Sequence, residues 1–460
     1  MNVGGRSRTT WVKRVAVATS TLLVAASGGA IAATAAAGAS QIHLVYSMWP
    51  GEQPGYAKDV ALFEKAHPNI SVTIEVIPYA NYEPKLTEEF TTGGGPDVFW
   101  VNTPWVPTWA KDGAFENLAP LVQKSHINMS AYNSYLVSLY SRGSDIYALP
   151  KELNTVAFVY NKSYFAKEHL TAPTNWSWSP SNPGSFLHFL QEATTDTSGN
   201  NALSAKFNAK SIAVYGADVA NVDESGWGNF LAEDGSNVIA KPYATTVTVD
   251  TPAAVQTMSF INQLMYKYHV LVPGTELGGN AEANNGEDAN LFAAGKIAME
   301  LSGSWNTEST VQQAKFSIGT LELPAGPEGV ATVANGGADA VNPHSPNQQA
   351  AWELASCLDS VPSQKVLASS GTNWPSLTSV RSLFTAYWQS HSVNMNGYTS
   401  EGDLKANVGW PETYGMDQGL TDMATDMGPI WLGPQTTSQI KAELASAQTR
   451  ADEDIVAAGG

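Results

Sequence analysis

Indole rings placed next to turns are the most suggestive chemical feature of this sequence. Trp49, Trp105, Trp109, Trp227, Trp305, Trp374 and Trp410 lie in or beside stretches rich in Gly, Pro, Ser or Asn. A sugar ring has apolar C–H faces and polar hydroxyl edges, so it suits a flat aromatic side chain fringed by Asn, Asp and Glu. Each of these tryptophans also has a plainer reading as core packing, which about half of them are expected to follow. The stretch FAAGKIAMELSGSW, Phe292 to Trp305, sharpens the choice. Ile297 to Leu301 reads as a strand that runs into Ser302-Gly303-Ser304, and the large ring follows the turn. Loops carry function more than packing. Trp305 therefore either caps the core under a loop or is presented to a ligand.

Catalytic signatures are scarce. No two of the eight histidines are spaced i, i+4, and H-E-x-x-H, G-x-S-x-G and G-x-x-x-x-G-K-[ST] are absent. The common zinc-protease, nucleophile-elbow and phosphate-loop chemistries thus have no anchor. Gly93-Gly94-Gly95 precedes a strand and reads as a turn, and no Asp-rich loop has EF-hand spacing. Glu52 and Glu152 are candidates, by position alone, for a carboxylate pair of the glycosidase type, because such pairs are set in space and not by spacing along the chain. The single cysteine, Cys357, lies on an apolar helical face and is expected to act as a small core hydrophobe. No catalytic residue, no metal ligand set and no cofactor is expected.

The elements that must hold these side chains follow from periodicity. QIHLVYSMW reads as a strand, GYAKDVALFEKAHP as a helix, and ISVTIEVIPY alternates Val72, Ile74 and Val76 on one strand face. The helix YEPKLTEEFTT then leads through the glycine turn into the strand DVFWVN. This β-α-β-α-β rhythm predicts an α/β fold with a parallel, doubly wound sheet. IYALP and TVAFVYNKSYF add strand character, TNWSWSPSNPGS is a loop, and PAAVQTMSFINQLMYKY is a helix. GGNAEANNGEDANLF is a polar loop leading into a further helix, and NQQAAWELASCLDSV is amphipathic. SQIKAELASAQTRADEDIVAA is expected to dock as the terminal helix.

At 460 residues and 43% hydrophobic content the chain has material for three domains of about 150 residues or for two large lobes. Its 42 acids outnumber 24 basic residues, for a net charge of −18, which disfavours nucleic acid and anionic membrane surfaces. The N-terminus carries Arg6, Arg8, Lys13 and Arg14 and no acid, then VAVATSTLLVAASGGAIAATAAAGAS. A basic region, an apolar region and small residues of the A-x-A type predict a signal peptide over 1–39. A retained membrane anchor is the alternative, since Val15 to Ala39 is long enough to span. Loss of that segment removes four positive charges and leaves −22.

Four segments, in order, resemble those of one known family. They are GGGPDVFWVNTPWVPTWAKDGAFENLAPLV, IYALPKELNTVAFVYNKSYF, FAAGKIAMELSGSW, and VANGGADAVN with the helix containing AAWELASCL. Together they resemble the extracellular solute-binding proteins of ABC importers, in the maltose-binding-type branch that takes sugars and oligosaccharides. The resemblance implies a periplasmic-binding-protein-like fold of two lobes, each an α/β sandwich, with three chain crossings and a ligand cleft between them. It implies lobe 1 from 40–152 plus 337–368 and lobe 2 from 153–336 plus 369–460.

Carried over by position, the ligand contacts implied are Trp49 and Glu52 after the first strand, Asn102 at the end of the Pro-Asp strand, and Asn154 in the first crossover. Asn335 and Gly336 stand in the second crossover, Trp374 follows the third, and Trp227 in DESGWGNFL and Trp305 are the aromatic platforms. Trp410 joins them as a turn-flanked indole. Asn102 and Asn154 occupy positions where many relatives carry carboxylates. The region LLVAASGGAIAAT lacks the lipid-anchor cysteine of many Gram-positive members. The implied partners are a carbohydrate, with an oligosaccharide favoured because the platforms come from separated segments, and ABC permease subunits with a cytoplasmic ATPase. The strongly acidic balance favours a neutral sugar over a sulfated or phosphorylated one. The protein is expected to be a monomer, extracellular or periplasmic, with no nucleic-acid partner. A secreted glycoside hydrolase, and a binder of a non-sugar solute, are the alternatives.

Overall fold

The computed structural model describes residues 41–277, 287–400, 402 and 407–460, and the side chains of all of these but 287 and 288. The expected signal peptide over 1–39 and the polar loop over 278–286 lie outside the described residues.

The first sheet begins with β1 (Ile42–Met48), α1 (Gln53–Ala66), β2 (Ile70–Val76), α2 (Tyr79–Thr91) and β3 (Val98–Val101). β1 pairs in parallel with β2 from Ile42↔Ile70 to Met48↔Val76, and with β3 at Tyr46↔Val98. This portion is the parallel, helix-connected unit that the alternating pattern predicts. The sheet as a whole is mixed. Its order is β2-β1-β3-β10-β4, where β4 is Ala148–Pro150 and β10 is Ala338–Val341. β10 runs antiparallel to both neighbours, with Ala338 opposite Val101 and Pro150. The physical reason is its entry point: it starts beside the carboxyl end of β3, directly after residues 335–337, with no crossover helix to reverse it.

The second sheet has the order β9-β5-β8-β7-β6, built from β5 (Val156–Asn161), β6 (Thr195–Asp196), β7 (Ile212–Ala217), β8 (Ile297–Gly303) and β9 (Ile318–Leu321). Here β8 and β7 are parallel, while β5 opposes β8 from Met299↔Tyr160 to Gly303↔Val156. The long helix α3 (Pro252–Tyr266) buries Met258, Ile261 and Leu264. Further along lie α4 (Gln348–Leu358), α5 (Val361–Ser369), α6 (Arg381–Ser390), α7 (Met416–Met427) and α8 (Thr437–Ala457). The terminal helix docks: a Thr436–Gln439 capping box starts it, and Ile440, Leu444, Ala447 and Ile455 are buried beside Met416, Met423 and Met427 of α7.

Tyr46, Phe63, Phe99 and Trp100 lie in one apolar core, and Phe158, Phe186, Phe230 and Leu301 in another. The first core also takes in Phe384 and Trp388 of α6 together with Val159 and Ile297 of the second sheet. Cys357 is half-buried against that core, and burial pushes its thiol pKa up.

Three extended segments join the two sheets side by side. Asn154 and Asn335 exchange backbone hydrogen bonds of 2.8 and 3.1 Å. Lys151 N–H donates to the Gly337 carbonyl at 3.1 Å, and Leu153 N–H to the Trp374 carbonyl at 2.9 Å. Gly336 has a physical requirement here, because a Cβ would run into the Glu152 carbonyl.

Candidate ligand-binding cleft

The residues that could meet a ligand emerge from the carboxyl ends of strands. Trp49 and Glu52 follow β1, Tyr79 follows β2, Asn102 follows β3, and Ser304-Trp305 follow β8. A helical turn, Asp223–Trp227, stands after β7. In open α/β sheets the crevice beyond the carboxyl ends is where ligands bind, since the helices and loops there leave backbone and side chains free to converge.

An aromatic wall forms on the first sheet. Trp49, half-buried, meets Trp100, Tyr82, Tyr79 and Trp105 edge-on, with centroids 4.6, 5.3, 5.5 and 5.8 Å away. Tyr82 stacks on Trp105 at 5.7 Å. Tyr79 remains 41% exposed, its hydroxyl accepting from the Asn102 amide at 3.2 Å. It is the most open aromatic of the group and was not singled out from the sequence. Its position directly after a strand was the available signal.

Behind this wall is a buried polar group. The Lys151 ammonium lies over the Trp100 ring, 2.7 Å from its centroid, and 4.6 Å from that of Tyr56. Burial, then the charge of Glu152, holds the Glu52 carboxyl well above the usual range, while Lys151 opposes the shift. Glu152 accepts from the Asn373 amide at 3.0 Å. Asp339, which accepts from Tyr46 at 2.8 Å, is pushed up to about 6 by burial against the pull of Lys151.

On the second sheet, Trp305 is half-buried and packs partly on the core. Its ring folds back over Gly303, where a Cβ would collide with it. The preceding Ser304 donates to Asn154 Oδ1 at 2.8 Å, tying the turn to the hinge. Asn335 donates from its amide to Glu224. The Trp105 indole donates to Asp417 at 3.0 Å. Burial raises the carboxyls of Asp223, to about 7, of Glu224, and of Asp417. Beside them lies a cavity of about 290 Å³ lined by Tyr135, Asp223, Trp410 and Glu412, in which burial pushes Glu412 up to about 8 against the nearby Arg142.

The structure thus brings Trp49, Glu52, Asn102, Asn154, Trp305, Asn335 and Gly336 to the hinge and the strand ends. It does not bring every indole there. Trp227 is 1% exposed and belongs to the core of the second sheet. Trp374 is buried in the first core with Arg381 over its ring, 5.3 Å from the centroid. Trp105 and Trp109 are likewise core residues. Trp410 is buried at the wall of the cavity. Packing at these sites wins because a tryptophan removes a large apolar area from water when it turns inward. The acids Asp223, Glu224, Glu412 and Asp417 were missed, although the first two precede Trp227 in the same short segment.

The sequence profile of bacterial extracellular solute-binding proteins matches residues 58–396. The chain belongs to this family. A galactooligosaccharide-binding protein of Bacillus subtilis is 26% identical to this solute-binding protein over 278 residues, which are 59% of this chain and 57% of the relative. The chain therefore matches little more than half the length of that relative. Among solved structures, an ABC substrate-binding protein from Listeria monocytogenes in complex with cycloalternan superposes with a TM-score of 0.75 and 18% identity, over 90% of this chain and 99% of the other. The GacH receptor of Streptomyces glaucescens, solved unliganded and with acarbose, gives 0.71 and 19%, over 90% and 98%. The fold is that of these two-lobed binding proteins. No helix among the described residues of this solute-binding protein is long and apolar enough to cross a membrane.

Proposed function

We propose that this solute-binding protein captures an oligosaccharide between its two sheets and delivers it to the permease of an ABC importer. The observation that carries the reading is the placement of Trp49, Tyr79 and Asn102 after strands of one sheet and of Trp305 after a strand of the other, beside a hinge of three paired segments to which Ser304 and Glu224 are tied through Asn154 and Asn335. Aromatic faces cover sugar C–H surfaces, and amides and carboxyls take up the hydroxyls. The names of the relatives support a saccharide: galactooligosaccharide, cycloalternan and acarbose are their ligands. Lobe 1 comprises 40–152 with 337–368, and lobe 2 comprises 153–336 with 369–460. Ligand binding stabilises the closed arrangement, which two permease subunits with their ATPase would recognise on a monomeric binding protein. Export through the N-terminal segment places it outside the cytoplasmic membrane.

The protein on this reading catalyses no reaction. A glycosidase needs its carboxyls about 5–5.5 Å apart, or about 6.5–9.5 Å when a water must fit between. The Glu52 and Glu152 carboxyls instead belong to the buried polar group behind the aromatic wall, where the charge of Glu152 helps to raise Glu52. A thermal-shift screen of glycans against peptides, polyamines and metal chelates tests the ligand class, because a ligand that binds only the folded state raises the melting temperature. Stabilisation by non-sugar solutes alone would refute the assignment. New reducing ends in the same incubations would restore the hydrolase.

A further inference from the structure

Asn154 spends its backbone on one element and its side chain on another. Its N–H and carbonyl pair with Asn335 of the second crossover, at 2.8 and 3.1 Å. Its Oδ1 accepts from the Ser304 hydroxyl at 2.8 Å, 150 positions along the chain. Both side chains are buried, Asn154 at 6% exposure and Ser304 at 4%. Every polar group of Ser304 is engaged. Besides that hydroxyl, its N–H donates to the Thr155 carbonyl at 3.0 Å, and its carbonyl accepts from the Thr307 hydroxyl at 2.8 Å. The ladder that sets Gly303 opposite Val156 therefore runs one step past the strands, into the first crossover. Trp305 is the next residue. Its ring is half-buried and folds back over Gly303, and among the described residues no hydrogen bond holds the indole itself. The direction of the ring is thus set by its backbone root and its glycine seat, because the backbone limits which rotamers a side chain can take.

We propose that Asn154 is a positioning residue, which through Ser304 fixes the direction in which the Trp305 ring meets the saccharide. The inference rests on the saccharide reading above, and it changes the role of Asn154 from the ligand contact that the family resemblance implies. A hydrogen bond between two buried groups is kept because breaking it strands both of them away from water. A ring held in place beforehand spares the ligand the cost of ordering it. Asn335 makes the comparison: its amide goes to Glu224, on the turn before Trp227, and has no bond to the Trp305 turn.

Ser304→Ala and Asn154→Ala, made in the mature chain and again beside Trp305→Ala, test the assignment. Acarbose and a galactooligosaccharide are the probes, titrated by calorimetry. Each substitution should weaken binding about threefold to tenfold when the ring is present. Once the ring is gone, the same change should cost less than about twofold, because a residue that acts through Trp305 is not additive with its removal. Asn335→Ala should cost the same in both backgrounds. Asn154→Asp keeps an acceptor for the Ser304 hydroxyl and should recover most of what Asn154→Ala loses. Fluorine-labelled tryptophan gives a readout that needs no ligand. The Trp305 resonance, identified by its loss in Trp305→Phe, should move or broaden in both alanine variants and return in Asn154→Asp. Equal losses with and without the ring, as a direct contact between Asn154 and the sugar would give, overturn the inference and leave the saccharide reading standing. So does a lower melting temperature with affinity and resonance unmoved. Binding of neither sugar counts against the saccharide reading, and the resonance then decides the role of Asn154 by itself.

Discussion

Trp105 donates its indole N–H to the Asp417 carboxylate at 3.0 Å, joining the loop after β3 to the first turn of α7. α7 packs in the core of the second sheet through Met416, Met423 and Met427, so the bond links the two halves of the molecule. Nearby, Gly415 N–H donates to Thr108 Oγ1 at 3.1 Å, and Lys111 reaches the Ala458 carbonyl at 2.6 Å. Removing two of these links with Trp105→Phe and Thr108→Val should shift the closing equilibrium by about 1–3 kcal/mol. Apparent affinity for a bound saccharide should then fall roughly fivefold to a hundredfold. Small-angle scattering of the unliganded variant should show a larger radius of gyration. An unchanged radius and affinity would mean that this seam does not hold the halves together.

Trp305 and Trp227 should separate binding from folding. Trp305 is half-buried at the strand end, whereas Trp227 is wholly within the core. Trp305→Ala should cost about 2 kcal/mol of affinity, roughly thirtyfold in Kd, with a small change in melting temperature. Trp227→Ala should cost about 3–5 kcal/mol of stability. Calorimetric titration and thermal melts of the two variants check this, and equal losses of melting temperature would return Trp305 to the core.

Gly303→Ala probes the same ring from beneath. The φ angle of Gly303 is −82°, open to any residue, so the substitution carries no backbone strain. The new methyl collides with the Trp305 ring and must push it off its seat. Affinity should drop about tenfold, nearer to that of Trp305→Ala than to wild type, while thermal stability stays close to wild type. Full retention of binding would show that the seat of the ring on Gly303 is not its binding position.

Stability should fall as pH rises from mildly acid to mildly alkaline. Burial raises Glu412 from 4.5 to about 8, and Asp223 from 3.8 to about 7. For a carboxyl raised in the folded state, the native protein holds more protons than the unfolded chain between the two values. Its contribution is therefore complete below the unfolded pKa and is lost as pH climbs to the folded one. Denaturant midpoints should decline between about pH 4.5 and 8. Glu412→Gln should flatten part of that decline, with its benefit appearing at pH 8 and vanishing near pH 4.5. A midpoint that rises over this interval in wild type would contradict the buried, protonated state of these groups.

Much of the architecture was legible because it is local. Alternation of Val72, Ile74 and Val76 specifies a strand face wherever the strand ends up, the helix over Gln53–Ala66 follows from apolar spacing, and Thr436 with Gln439 marks a helix start. The docking of the last helix could be anticipated from its apolar stripe. The turn after β8 likewise sets Trp305 at a strand end from its immediate neighbours alone.

Tertiary structure decided which side of the protein surface each chemical group would face. Trp227 and Trp305 each stand in a Ser/Gly-rich turn, yet one is buried and the other half-open, since burial depends on what distant segments pack over a ring. The antiparallel entry of β10 depends on the meeting of Asn154 with Asn335. Such contacts bring together residues nearly two hundred positions apart, and no periodicity along the chain records them. The sequence by itself determined the elements, their order and the stock of aromatic and acidic groups. Only the fold decided which of those groups share a cleft, because desolvation and charge act through space and not along the chain.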